Sequence, residues 1–366
     1  MSSDFANDLL TWYAANQRAL PWRRPSPDPY AVWISEIMLQ QTTVATVIGF
    51  YTRWMARFPT IEDLGRAPLD EVLRYWSGLG YYARARNIKK SAEIIVERHC
   101  GRFPATVDDL MQLPGVGRYT AGAIASIAYG VRAPILDANV TRVLSRLFAV
   151  AGDPKSQPTQ ARLWQIAEDV MPQSHAGDFN QALMELGAQV CLPSSPKCPS
   201  CPVASHCAAR LAGDPLAYPQ LIDRKRWLDS HHCAAALEEN GQVLLIRRPE
   251  EGLWGGLWEL PRATVADGES WEDCAQRAIK EAVGLDVCVQ GSVGRVKHVV
   301  MNHKITLHGF AVHRRRGEPR AISCAGFDWA SPGELSKYAL SSPQRRLLSL
   351  WLETRRQPAL DLEAEP

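Results

Sequence analysis

No apolar run in the 366-residue chain approaches the roughly 18 residues of a membrane span, and the N-terminus MSSDFANDLL lacks a basic region leading into an apolar stretch. Neither a membrane helix nor a secretory leader is expected, so the chain reads as soluble and intracellular. Charge of one sign is also missing. The 41 Lys and Arg stand against 39 Asp and Glu, a net charge of +2. That balance excludes a strongly acidic surface that would repel nucleic acid, but it is too mild to argue for one. There is no internal repeat, and the pattern of a disulfide framework is absent. Five of nine cysteines (Cys100, Cys233, Cys274, Cys288, Cys324) are scattered, while Cys191, Cys198, Cys201 and Cys207 crowd seventeen residues. Such clustering favours a metal centre.

What is present is length and apolar content: 46% hydrophobic residues over a chain longer than one ordinary domain predict two cores. From Asp4 to about Arg210 apolar residues recur at helical spacing, broken by Phe58-Pro59, Phe103-Pro104 and Leu113-Pro114-Gly115. Residues 69–76 and 92–97 fit amphipathic helices, and 121–129, apolar nearly all round, fits a buried one. The stretch 211–228, with Gly213, Pro215, Pro219 and the basic run Arg224-Lys225-Arg226, reads as a linker. Beyond it, 233–238, 242–248 and 305–312 read as strands and 271–283 as a helix, giving an α+β domain over 229–352. The tail 353–366, acidic and containing Pro358 and Pro366, is expected to be disordered.

Two segments carry chemistry. Leu113-Pro114-Gly115-Val116-Gly117-Arg118-Tyr119-Thr120 sets two glycines immediately before a helix, a loop able to aim backbone N–H groups at one phosphate. A plain helix–helix turn is the alternative. Downstream, Asp137 in Ile135-Leu136-Asp137-Ala138-Asn139 is placed to begin a helix, where an N-cap and a catalytic carboxylate are both open. The cysteines Cys191, Cys198, Cys201 and Cys207 supply four thiolates, suited to tetrahedral zinc or to a [4Fe–4S] cluster.

Together the hairpin and the downstream Asp resemble the helix-hairpin-helix–Gly/Pro–Asp superfamily of DNA glycosylases, in which the aspartate faces the sugar of an extruded nucleotide. The resemblance implies a helical glycosylase domain over 1–210, with its hairpin at 113–120 and an iron–sulfur loop at 191–207. The cysteine spacing is similar to the loop of the endonuclease III and adenine glycosylase branches, which implies a [4Fe–4S] cluster. Leu20-Pro21-Trp22-Arg23 and the run from Asp28 to Thr42 (DPYAVWISEIMLQQT) resemble the adenine DNA glycosylase branch. By that resemblance Glu36, desolvated among Trp33, Ile34, Ile37 and Leu39, protonates adenine, and Asp137, with Asn139 beside it, stabilises the sugar cation. Arg18, Trp22, Arg23 and Glu185 line the adenine pocket; Gln41 probes beside the flipped base and Tyr81 wedges into the stack. Arg84, with Arg86, Lys89 and Lys90, meets phosphates, and Gly115 and Gly117 hold the backbone. Tyr119 stands where the endonuclease III branch has a Schiff-base lysine, so base release without lyase chemistry is expected.

The motifs Gly252-Leu253-Trp254-Gly255-Gly256 and Arg277-Ala278-Ile279-Lys280-Glu281-Ala282 resemble a Nudix fold. Ala278 and Ala282 stand where working Nudix enzymes have glutamates, leaving Glu281 and Glu269, so binding rather than metal-dependent hydrolysis is expected. In adenine glycosylases the corresponding domain recognises 8-oxoguanine; Asn302 and His303 are the candidates here, in a loop that departs from the family's Phe-Ser/Thr-His. The implied substrate is duplex DNA with adenine opposite 8-oxoguanine or guanine, handled by a monomer in the cytoplasm, on the nucleoid. An endonuclease III-like lyase and a noncatalytic damage-binding module are the competing expectations.

Overall fold

The computed structural model describes residues 2–222 and 226–356. They fall into two compact units, one of 1–66 with 87–223 and the other of 67–86 with 224–366. Among the described residues no helix is long and apolar enough to cross a membrane.

The first unit is helical. Its central core joins the helices Ser2–Asn16, Arg118–Tyr129, Ala138–Leu147, Gln157–Asp169 and Ala176–Gln189 through Phe5, Leu9, Val143, Leu144, Leu163, Phe179 and Leu183. The helix Pro29–Leu39 starts where the sequence dictates. Asp28 accepts the N–H of Tyr30, and Pro29 occupies a first-turn position that has no N–H to satisfy. Residues 30–38 are then all buried, Glu36 among them. Helix Arg118–Tyr129 is buried only from Thr120 to Ser126; Tyr129, expected in the core, is exposed and donates its hydroxyl to the carbonyl of Phe103.

The second unit is built on a seven-stranded sheet of β1 (Leu228–Glu239), β2 (Gln242–Arg247), β3 (Trp258–Glu259), β4 (Arg262–Thr264), β5 (Asp286–Val300), β6 (His303–Arg316) and β7 (Gly326–Ala330). The order is β3-β2-β1-β6-β5, with β4 also on β1 and β7 on β2. The pair β1·β6 is parallel and the other pairs are antiparallel. Alternation divides each strand between two cores. Cys233, Ala235, Leu237, Leu244 and Phe310 join a core with Ala275, Ile279 and Val283 of the helix Trp271–Val283. Ala234, Ala236, Val243, Leu245 and Leu307 join another with Leu347, Leu348 and Trp351 of the helix Ser342–Arg356. The helix Leu69–Trp76 belongs to this unit, held by an Asp70–Arg247 ion pair of 2.7 Å and by Ser77 Oγ donating to the carbonyl of Leu340 at 2.5 Å.

Two further expectations change. Residues 353–356, expected in a disordered tail, continue a helix, because Leu347, Leu348 and Trp351 anchor its apolar stripe in the core. The rest of that tail, 357–366, lies outside the described residues. The expected linker is fixed to the helical unit as far as Gln220: its carboxamide oxygen accepts the N–H of Gly152, and the carbonyl of Tyr218 accepts from Arg146. Of its basic run, 224–225 lies outside the described residues.

Candidate active site

The hairpin is the turn between helices Val107–Met111 and Arg118–Tyr129. Gly115 has φ +78°, and a Cβ there would meet Asn87 at 2.8 Å, so this position requires glycine on both counts. Gly117 is different. It caps the second helix at φ −93° with no side-chain cap, and a Cβ there would meet nothing within 4 Å. Its bare backbone leaves the partly positive helix start open to an anion.

Beside the hairpin helix lies a cavity of about 720 Å³ whose walls include Arg18, Trp22, Arg23, Glu36, Gln41, Tyr119, Asp137, Asn139 and Glu185. These nine residues come from four separate stretches of sequence, and the fold brings them to one space. Glu36, 5% exposed, accepts a 2.5 Å hydrogen bond from the Tyr119 hydroxyl at Oε2. Burial pushes its carboxyl up to about 7; the Tyr119 hydrogen bond pulls it down, Asp137 pushes it up, and Arg23 opposes. The Tyr119 phenol is itself held well above its ordinary pKa by burial and by the two carboxylates, so it stays a donor.

Asp137 is both an N-cap and a cavity wall. Its Oδ1 accepts the N–H of Val140 at 2.6 Å, opening the helix Ala138–Leu147, and its Oδ2 accepts from Asn139 Nδ2 at 3.3 Å. Burial holds Asp137 above its ordinary value, and the Val140 and Asn139 backbone, the Arg142 charge and the Asn139 amide offset only part of that rise. Glu36 has one donor and Asp137 several, an arrangement that favours the anion more at Asp137 than at Glu36. Asn139 is seated in turn. Its Oδ1 accepts from Arg142 at 2.9 Å, and Arg142 also donates to the carbonyls of Gly187 and Cys191 at 2.7 and 2.8 Å. A Cβ on Gly187 would meet Asn139 at 2.7 Å, so the two helices approach closely here.

Glu185, 1% exposed, binds Arg18 through both oxygens at 2.6 and 2.9 Å and Arg23 at 2.8 Å. Burial alone would push it up, but the bonds from Arg18 and Arg23 outweigh that and hold it at about 2. The triad makes a rigid polar wall in which one carboxylate is shared by two guanidiniums, leaving one net positive charge. Sequence reasoning did not identify Arg142, nor Met184, whose Sδ accepts from Tyr119 at 3.4 Å, nor Thr120, which accepts from Gln40. The one available signal was spacing: Arg142 is three residues from Asn139, on the same helix face.

None of the four cysteines expected at a metal centre is in a disulfide, and Cys191, Cys198, Cys201 and Cys207 line one small cavity with Val143, Leu147, Leu186 and Val203. Burial, then the charges of Cys191, Cys207 and Cys198, push the Cys201 thiol up to about 11. Sulfurs gathered in an apolar cavity become thiolates when metal compensates their charge, so the donor set suits a cluster of several metal ions, whose ligands stand further apart than those of one ion. Among the described residues no three His, Cys, Asp or Glu groups are positioned to hold a single ion.

Of the remaining expected DNA contacts, Tyr81, Arg84, Arg86, Asn302 and His303 belong to the second unit. Tyr81, 52% exposed, projects from a turn with the strained φ of +49°. Arg84 does not reach outward. It donates to the carbonyls of Leu79 and Gly80, lies over the Trp76 and Tyr81 rings, and is pushed down to about 10 by burial. Arg86 donates to the carbonyl of Gly255, and in the first unit Lys89 is buried against the carbonyl of Gly65; Lys90 is exposed. Asn302 sits in the β5–β6 turn and donates to the carbonyl of Arg226, while His303 is exposed at the start of β6. In the Nudix-like motif, Ala278 and Ala282 are buried, and the carboxylates of Glu269 and Glu281 are both bound by Arg277.

Comparison with known proteins divides the chain in the same way. Residues 34–169 match the HhH-GPD superfamily of base excision DNA repair proteins, and residues 232–350 match the NUDIX domain family. A human relative named adenine DNA glycosylase is 37% identical over 402 residues, covering 95% of this chain and 74% of its own length. A relative of the same name from Buchnera aphidicola is 39% identical over 258 residues, covering 70% of this chain and 74% of its own. Among solved structures, a thermostable thymine-DNA glycosylase aligns with a TM-score of 0.53 at 31% identity, over 58% of this chain and 97% of that one. A neighbour named for a different base shows that the helical scaffold alone does not choose the base.

Proposed function

The chain belongs to the adenine DNA glycosylase family, and from that premise we propose that it releases adenine facing 8-oxoguanine or guanine in duplex DNA, without cutting the strand. The observation that carries this is one cavity holding a carboxyl poised near neutrality, Glu36, together with a hydrogen-bonded aspartate, Asp137. Glu36 gives its proton to a ring nitrogen of the extruded adenine. The C1′–N9 bond then breaks with its electron pair leaving on the base, and Asp137 stabilises the cationic sugar. Water adds at C1′ and returns a proton to the Glu36 carboxylate. Tyr119 holds Glu36 Oε2, leaving Oε1 as the oxygen that carries the proton. A phenol forms no Schiff base, which speaks against an endonuclease III-like lyase.

Gly115 and Gly117 would grip a phosphate, and Gln41, at φ +60° on the cavity wall, would sense the flipped base. Tyr81 would fill the gap left in the stack, costing a few kcal/mol of unstacking. Arg84 acts by stiffening that turn. Cys191, Cys198, Cys201 and Cys207 would hold a [4Fe–4S] cluster, which supplies a rigid cross-link of the loop when bound. The β5–β6 turn, where Met301 is 70% exposed, would meet 8-oxoguanine, with His303 the less committed of the two candidate side chains.

The test is incubation with duplexes carrying adenine opposite 8-oxoguanine, guanine or thymine, with and without alkali. Breaks that appear only after alkali, opposite 8-oxoguanine and guanine, are expected. Breaks without alkali indicate a lyase, and no breaks under either condition leave only a binding module.

A further inference from the structure

Resting on the [4Fe–4S] assignment above, we infer that Arg146 is a positioning residue that raises the reduction potential of the cluster through a charge-assisted N–H···S bond to Cys191. Arg146 ends the helix Ala138–Leu147 and is 3% exposed. One of its terminal nitrogens lies 3.4 Å from Cys191 Sγ and also donates to the carbonyl of Leu192 at 2.6 Å. The other donates to the carbonyl of Pro193 at 2.7 Å, and Nε donates to the carbonyl of Tyr218 at 3.0 Å. Its own carbonyl lies 3.5 Å from Cys207 Sγ. The guanidinium thus holds the entry of the cysteine segment, the backbone carbonyl of the same residue meets its exit, and the side chain touches one sulfur directly.

Its partners explain why it bears on electron transfer. The bonds named above go to carbonyls and a sulfur, none to a carboxylate, and a buried cation without an anionic partner is costly. Four thiolates around an iron–sulfur core carry net negative charge and supply the anion. Arg210 also lines the cavity, but it is exposed to solvent, which screens it. Adding an electron makes the cluster more negative, so a fixed cation and an N–H donor on a ligand sulfur stabilise the reduced state more than the oxidised one. Arg suits the task because its planar fork reaches a sulfur and three carbonyls without rearranging.

The experiment compares the full-length holoprotein with Arg146→Lys and Arg146→Met by iron and sulfide analysis and by protein-film voltammetry. Loaded Arg146→Met should shift its oxidised-to-reduced equilibrium at least tenfold toward oxidised, about 59 mV for one electron. Arg146→Lys, which keeps charge but not the fork, should fall between. In wild type grown with guanidino-¹⁵N arginine, pulsed electron paramagnetic resonance should show a ¹⁵N coupling to the cluster. An unchanged potential in loaded Arg146→Met overturns the inference. If the variants do not hold the cluster, absence of the ¹⁵N coupling in wild type overturns it, and its presence upholds it. Wild type without iron or sulfide sinks the cluster assignment itself, a separate failure.

Discussion

Glu36 is the residue at which catalysis and stability pull apart. Its carboxyl is near 7 in the folded chain and near 4.5 when free, so the folded state binds the proton more tightly. Stability therefore falls as pH rises from about 4.5 to 7, by roughly 3 kcal/mol in all. Glu36→Gln removes this penalty. Denaturant melts should find the variant up to about 3 kcal/mol more stable than wild type at pH 8, and indistinguishable near pH 4, while base release is lost. Equal stability at pH 8 would show that the carboxyl is not held neutral. Base release itself should decline above pH 7 as Glu36 loses its proton. Because the Tyr119 hydroxyl lowers the Glu36 pKa, Tyr119→Phe should move that decline to higher pH. A single-turnover pH profile that does not move would mean that the 2.5 Å contact has no electrostatic consequence.

At the level of elements, the two hairpin glycines make opposite demands. Gly115→Ala forces a side chain into the left-handed region and against Asn87, and should cost about 1–3 kcal/mol of stability. Gly117→Ala fits the backbone as it stands, so melting should not change, while affinity for duplex DNA should drop because a methyl group stands where a phosphate approaches. Equal affinities for Gly117→Ala and wild type would remove the hairpin from the DNA surface. Much of this architecture was legible. Helices 69–76 and 271–283 have the bounds that their periodicity predicts, and the cavity residues were found through an extended motif. β5 was not found, because register shifts at Val289/Gly291 and Ser292/Gly294 interrupt the two-residue alternation on which a strand is recognised. The basic face at 84–90 looked ready for phosphates, yet Arg84, Arg86 and Lys89 satisfy carbonyls of the protein. Charge is visible in a sequence, but the partner of a long flexible cation is not. Likewise nothing in the residue types Gln41, Tyr81 and Met301 announces that each is held at positive φ, a strain only the folded backbone reveals.

At the scale of the whole molecule, the division into units does not follow the chain. Residues 67–86 group with 224–366, while the residues on either side of them build the helical unit. A fragment ending at 222 keeps 67–86 but removes Arg247 from Asp70 and Leu340 from Ser77. Limited trypsin digestion should therefore cut such a fragment rapidly within 67–86, at bonds protected in the full chain; equal protection in both would show that the grouping has no energetic weight. The same excursion bears on synthesis and on exchange. On a ribosome adding about 5–20 residues per second, the segment emerges roughly 10 to 50 s before its partners and must wait. During that interval Asp70 and Ser77 lack the Arg247 and Leu340 partners that hold the helix Leu69–Trp76 in place. A break in the chain near residue 223 would likewise part the segment from the strand and loop that hold it, so the second unit is not a cassette that can be exchanged at that point.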